Sequence, residues 1–221
     1  MDRSKKIAGD YAATLIEPGM IVGLGTGSTA AFFIKALSER KLDILAVASS
    51  EESASIAKKS GIKVIEINEA PRIDITVDGA DEIDAKKRMI KGGGGALVRE
   101  KILAASSTEM IVIVDRSKLS QTIGHVKLPI EIISFGSNGT KKRIEALGFM
   151  TTLRLKEDGS PFITDNHNLI LDLTLHSPPD SPEDFHTKLL NIPGVVDTGF
   201  FFNLAGRVII GDISGEIEIL S

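Results

Sequence analysis

Three short segments in the first half of the chain hold residue types that together can grip an anion and move a proton. The first is Gly25-Thr26-Gly27-Ser28-Thr29, which combines closely approachable backbone with three hydroxyls. Set between an apolar strand and a helix, such a turn aims free N–H groups and the positive end of the helix dipole at one spot, and that spot favours phosphate. Residues 25–30 also spell G-x-G-x-x-A, a loose dinucleotide fingerprint. Against that, the next strand ends in Ala48-Ser49-Ser50, with no acid at its tip to hold an adenosine ribose and only Glu51 near. A phosphate cradle, a dinucleotide turn and a plain tight turn all stay open on this segment alone.

The second segment, Asp78-Gly79-Ala80-Asp81-Glu82-Ile83-Asp84, packs four carboxylates into seven residues directly after an apolar strand. In a parallel sheet that is the ligand-binding edge. The carboxylates suit Ca²⁺ or Mg²⁺ in number, yet no EF-hand register is present, and acidic loops are often solvated surface. The third segment is Lys91 followed by Gly92, Gly93, Gly94 and Gly95, then Ala96-Leu97-Val98-Arg99-Glu100-Lys101. Ordering glycine is entropically expensive, so a run of it between a strand and a helix implies that something approaches the backbone. Lys91 at the strand end can polarise a carbonyl or hold an oxyanion. Glu100, in the early turns of the helix, is either a base or a surface residue paired with a lysine.

The histidines, at 125, 167, 176 and 186, include no i, i+4 pair of the kind that ligates metal on a helix, and none is given a catalytic role. His167, in a turn between strands, suits a left-handed backbone. Composition narrows the field further. The formal net charge of −4 argues against a nucleic-acid partner, which needs a basic face. With no cysteine there is no disulfide, no thiolate nucleophile and no cysteine-built zinc site, and a reducing cytoplasm is expected. The first residues alternate charged, small and apolar types without the apolar core of a signal peptide or spanning helix, so no membrane partner is expected.

The elements that must position these segments follow from hydrophobic periodicity. The spacing predicts a helix over 3–16, a strand over 20–24, a helix over 30–39, and then strand 44–48, helix 51–60 and strand 63–67. After these come strand 73–77, a loop at 78–82, strand 89–90, helix 96–106 and strand 110–114. Strands alternating with helices predict a doubly wound, Rossmann-like parallel sheet. Beyond Gly124 the order becomes strand 126–133, helix 137–147, strands 150–155 and 169–175, helix 183–190 and strand 195–202. That is the β-α-β-β-α-β order of a small ferredoxin-like α+β domain. Residues 208–210 and 216–220 then return to the edge of the first sheet as a hairpin through Ser214-Gly215. The expected domains are therefore 1–124 with 203–221, and 125–202.

Taken in order, Gly25-Thr26-Gly27-Ser28-Thr29, Val77-Asp78-Gly79-Ala80-Asp81-Glu82-Ile83, Lys91-Gly92-Gly93-Gly94 and Arg99-Glu100-Lys101 resemble ribose-5-phosphate isomerase of the A type. The likeness extends to Asp115-Arg116-Ser117-Lys118, Ile163-Thr164-Asp165-Asn166 and Ile192-Pro193-Gly194-Val195-Val196. It implies an aldose–ketose isomerase of the non-oxidative pentose phosphate pathway, interconverting ribose 5-phosphate and ribulose 5-phosphate through a cis-enediol. It implies no metal or cofactor, and a homodimer or homotetramer. Thr26, Gly27, Ser28, Thr29, Asp78, Gly79, Ala80, Asp81, Lys91, Gly92, Gly93, Gly94 and Lys118 would line the substrate site, with Glu100 as base. For such a substrate the phosphate is expected between one of the hydroxyl-rich or Gly-rich loops and the ammonium of Lys118 or of an N-terminal lysine such as Lys5. Two departures lie outside these positions: His167 stands where relatives often have glycine, and 177–182 looks longer than usual. An NAD-dependent oxidoreductase, a non-catalytic sugar-phosphate sensor and a CoA-transferase-like enzyme are the competing readings.

Overall fold

The computed structural model describes residues 2–220, and the chain divides into two compact units. The first takes in the chain up to Ala80, Arg99–Leu119 and the chain from Asn203. With elements numbered in chain order, its strands are β1 (Ile21–Leu24), β2 (Leu45–Ala48), β3 (Lys63–Val64), β4 (Ile73–Asp78), β7 (Ser107–Asp115), β14 (Ala205–Gly211) and β15 (Ile217–Leu220). They form one sheet in the order β15-β14-β7-β4-β1-β2-β3. All neighbours pair in parallel except the β14–β15 hairpin at the edge.

Short apolar runs make these strands because both faces must be covered. Val22 and Leu24 point to one face, where α1 (Asp2–Thr14), α2 (Ser28–Glu39) and α3 (Glu51–Lys59) contribute Ala8, Ala12, Phe33, Ile34, Leu37 and Ala57 to a single core. Ile21 and Val47 point the other way and pack with Leu103 of α4 (Leu97–Ala105). Chain direction across the sheet reverses between β1 and β4, and that switch point is where a doubly wound sheet opens a crevice for ligand. No helix among the described residues is long and apolar enough to cross a membrane.

The second unit holds Asp81–Val98 and Ser120–Phe202. Its larger sheet uses β9 (Leu128–Ile132), β10 (Met150–Leu153), β11 (Leu169–Thr174) and β12 (Val195–Thr198) in the antiparallel order β10-β11-β9-β12. With α5 (Ser137–Glu145) after the first strand and α6 (Pro182–Leu190) before the last, this is the ferredoxin-like arrangement. A second small sheet orders β13 (Phe200–Phe201), β6 (Met89–Ile90), β5 (Glu82–Asp84) and β8 (Leu119–Ser120).

Two local expectations are corrected here. Residues 195–202 do not make one strand. The chain leaves β12 at Gly199, whose N–H donates to Pro129 O (2.7 Å) and whose carbonyl accepts from Lys91 N (2.8 Å), and continues as β13 in the other sheet. Residues 82–84 form β5 rather than part of a loop, because β6 offers them a partner. The same small sheet explains why residues 81–98 group with the second unit, although they precede the last long strand of the first.

The turn before β11 is anchored from beneath. Glu131 on β9 is fully buried, and its Oε1 accepts from Thr164 Oγ1, Asn166 Nδ2 and Asn168 Nδ2. Between these donors His167 adopts φ +62°, the left-handed region anticipated for it. A Cβ is unfavourable there, so His167→Gly should raise stability by about 0.5–1 kcal/mol. The urea midpoint would rise with an unchanged slope.

Candidate active site

At the switch point of the first unit the chain leaves β1 through Gly25 and enters α2 with Gly27 as N-cap, at φ +100°. Glycine supplies no capping side chain, so the first-turn N–H groups of α2 are left to whatever binds at that terminus. The loop is tied to the end of β4. Gly25 N donates to Val77 O (2.9 Å), and Asp78 Oδ1 accepts from Thr26 N (3.2 Å) and Gly79 N (2.7 Å). Asp78 itself is buried. The approach is close enough to dictate the residue at 25, since a Cβ there would lie 2.1 Å from Asp78 Cγ.

A chain of hydroxyls holds the loop from the β2 side. Thr26 Oγ1 lies 2.8 Å from Ser49 Oγ and donates to Ser50 Oγ (2.9 Å). Ser50 caps α3 through Ser53 N (3.1 Å), and Ser53 Oγ returns to Gly25 O (2.6 Å). The sequence displayed Ser49 and Ser50 only as the absence of a ribose-binding acid; their role as loop supports depends on β2 lying beside β1.

Lys5 reaches the same loop from α1, with Nζ donating to Ser28 Oγ (3.0 Å). Lys118 follows the C-terminal end of β7, at the sheet edge that also carries Asp78, and ends a single helical turn capped by Asp115 on Ser117 N (2.8 Å). Glu100 stands in the first turn of α4, where the helix dipole favours a carboxylate. Its exposure of 3% removes the reading of Glu100 as a solvated surface ion pair.

In the second unit, Lys91 leaves β6 with an exposure of 2%, and its Nζ sits 5.4 Å from the centroid of the Phe201 ring. The glycine run that follows is turned, with positive φ at Gly92 and Gly95 and a bond from Gly95 N to Gly92 O (2.9 Å). Asp81 Oδ2 accepts the N–H of Gly93 (2.8 Å). Gly93 and Gly94 are exposed while Lys91 and Gly92 are buried.

The four clustered carboxylates have separate partners. Besides Asp78 and Asp81, Glu82 accepts from Ser120 Oγ and from Gly124 N and His125 N, and Asp84 binds Arg88 across the β5–β6 turn. Glu82 and Asp84 are buried structural anchors and not solvated surface. Among the described residues no group of three or more ligating side chains is arranged for a metal ion.

The first unit therefore carries Thr26, Gly27, Ser28, Thr29, Asp78, Gly79, Ala80, Glu100, Lys118 and Lys5, and the second carries Asp81, Lys91, Gly92, Gly93 and Gly94. The first set offers an anion cradle and a buried carboxylate, and the second an ammonium with an ordered glycine backbone.

Comparison with known proteins points one way. Residues 45–215 match the family model for ribose 5-phosphate isomerase A (phosphoriboisomerase A). The chain is 50% identical to the ribose-5-phosphate isomerase A of Bacillus mycoides over 217 residues, covering 97% of this chain and 98% of the relative. It is 46% identical to that of Parvibaculum lavamentivorans, covering 97% and 96%. Among solved structures, the Plasmodium falciparum ribose 5-phosphate isomerase superposes with a TM-score of 0.95 at 36% identity, covering 100% of this chain and 98% of that one. A D-ribose-5-phosphate isomerase in complex with phospho-erythronic acid gives a TM-score of 0.93 at 36% identity, covering 98% and 97%.

Proposed function

Since the chain belongs to the ribose-5-phosphate isomerase A family, we propose that it interconverts D-ribose 5-phosphate and D-ribulose 5-phosphate through a cis-enediolate, with Glu100 as the one base. The observation that carries this reading is a carboxylate nine-tenths withdrawn from water in the first turn of a helix, where bulk solvent does not compete for its proton.

Glu100 takes the proton from C2 of the open-chain aldose while the electron pair moves through C1 onto O1. The resulting enediolate is met by Lys91 and by N–H groups of the glycine run, which are fixed donors for charge that develops only as the reaction proceeds. The proton of the O2 hydroxyl passes to O1, which becomes a hydroxyl and leaves the charge on O2; as that charge collapses into the C2 ketone, C1 takes back the proton held by Glu100. One carboxylate on one face serves both transfers.

Ring opening precedes this. Of the two aspartates, Asp78 is buried beneath the loop it holds, whereas Asp81 retains exposed surface. Asp81 therefore takes the sugar hydroxyls and assists opening, and Asp78 acts by fixing Thr26 and Gly79. The phosphate goes to the Gly25–Thr29 turn, with Lys5 and Lys118 supplying charge. Such binding at the far end of the sugar holds the reacting carbons in place. No step calls on a metal or an organic cofactor, and the dinucleotide and acyl-transfer readings gain nothing from the relatives. A cytoplasmic location and a homodimer or homotetramer complete the proposal, on the strength of family resemblance.

Incubation of the purified protein with ribose 5-phosphate in EDTA should yield ribulose 5-phosphate rapidly. A folded protein that is inactive until metal is restored would overturn the metal-free mechanism. One inactive under both conditions would overturn the activity. Lys5→Ala should raise KM for ribose 5-phosphate by about tenfold with a smaller change in kcat, the mark of lost ground-state binding.

A further inference from the structure

Within the second unit, the carbonyls of the glycine run are held by one side chain that no motif pointed to. Arg154, just past β10, donates from Nη1 to Gly92 O (2.9 Å) and to Gly93 O (3.0 Å). Its Nε donates to Asp172 Oδ2 (2.9 Å) and its Nη2 to Asp172 Oδ1, which completes a two-pronged pair with β11. Both side chains are mostly buried. The guanidinium also lies 5.9 Å from the centroid of the Phe162 ring, and that ring closes on Gly95.

We propose that Arg154, braced by Asp172, is a positioning residue for isomerisation, because it fixes the direction in which the peptide N–H groups of Gly93 and Gly94 point. A trans peptide is planar, with its N–H and C=O directed oppositely. The carbonyl of Gly92 shares a plane with the N–H of Gly93, and the carbonyl of Gly93 with the N–H of Gly94. By drawing both carbonyls to itself, Arg154 turns both N–H groups away toward the opposite side. There the Gly93 N–H meets Asp81 Oδ2. Among the described residues the Gly94 N–H has no acceptor, and it is the donor left for an enediolate oxygen.

Glycines impose no direction of their own, so an unclamped run would sample many orientations of these dipoles. A planar fork with several donors suits the task, and a lysine, with one compact ammonium, cannot hold two carbonyls and a carboxylate in the same way. The ferredoxin-like sheet, which supplies both Arg154 and Asp172, thereby has a part in the reaction. This inference rests on the proposed function in taking the glycine run as the place where the enediolate is met.

The test compares wild type with Arg154→Met, Arg154→Lys and Asp172→Asn, reading kcat, KM, inhibition by phospho-erythronic acid, thermal midpoint, and hydrogen exchange of the Gly93 and Gly94 amides. The carboxylate of phospho-erythronic acid resembles the enediolate in charge and shape. For Arg154→Met kcat should fall about tenfold to a hundredfold with KM little changed, since misdirected donors are lost mainly in the transition state. Affinity for phospho-erythronic acid should fall with kcat/KM, and the two amides should exchange faster. Arg154→Lys should lie between, and Asp172→Asn nearest wild type because an amide oxygen still accepts from Nε.

A folded Arg154→Met with wild-type kcat would overturn the assignment, as would a lowered thermal midpoint accompanied by no change in kcat or inhibitor affinity. An inactive wild type would instead overturn the proposed function. In that case, exchange at Gly93 and Gly94 that is unchanged in Arg154→Met would overturn the clamp, and faster exchange would support it.

Discussion

Glu100→Gln is expected to lower kcat for ribose 5-phosphate by about a hundredfold to ten-thousandfold, the usual contribution of a positioned general base. Glutamine keeps the shape of the side chain at a buried position but has no basic oxygen able to carry a proton from C2 to C1. KM and the affinity for phospho-erythronic acid should change far less, because the residues proposed to hold the phosphate are untouched. The separation matters. A parallel loss of binding would mean that Glu100 supports the site and does not act in the chemistry, and near-normal turnover would place the base elsewhere. Solvent-deuterium incorporation at C2 of recovered ribose 5-phosphate gives a second readout, since it follows proton abstraction and should fall with kcat.

Gly25→Ala is the second large effect. The added Cβ would meet Asp78 at Cγ, Oδ1 and Cβ, at 2.1, 2.1 and 2.5 Å. Contact with the Asp78 Cβ cannot be relieved by rotating the far end of a long side chain, so either the loop rises or Asp78 moves. Either shift breaks the bond from Asp78 Oδ1 to Thr26 N, and with it the seating of Thr26 on Ser49 and Ser50. Overpacking of this kind costs about 1–3 kcal/mol of stability. If the Gly25–Thr29 turn holds the phosphate as proposed, displacing it by an ångström should cost about a hundredfold in kcat/KM. Chemical denaturation and steady-state kinetics on the same sample would separate the two losses. A stable Gly25→Ala with normal kcat/KM would show that the loop does not bind phosphate in the position proposed for it.

These two positions were legible in the sequence for different reasons. Gly25 belongs to a local pattern of strand, glycine turn and helix, which periodicity and turn chemistry reveal without any partner. Glu100 was ambiguous by spacing, and only its resemblance to a family motif singled it out; burial then removed the surface alternative. The dense carboxylates at 78–84 were misleading as a group. They look like one feature, but Asp78 ends β4, Asp81 lies in the connection that follows and only Glu82 and Asp84 belong to β5, so their partners differ: Thr26 and Gly79 for Asp78, Gly93 for Asp81, Ser120 and Gly124 for Glu82, and Arg88 for Asp84.

By itself the sequence determined the parallel, doubly wound first sheet, the β-α-β-β-α-β order of the second unit, the left-handed turn at His167 and the three glycine-rich or acidic motifs from which the site is proposed. Each of these is written in residues close together along the chain, where apolar period, glycine placement and capping act over a few positions. Tertiary structure alone decided the rest. The break between β12 and β13 depends on Lys91 and Pro129 capturing Gly199. Arg154 finds Gly92 at a separation of 62 residues, and Glu82 finds Gly124 at 42. An arginine or a glutamate looks the same in a sequence whether it faces water or a buried carbonyl. What distinguishes them is the partner, and the partner is present only once strands from distant parts of the chain lie side by side.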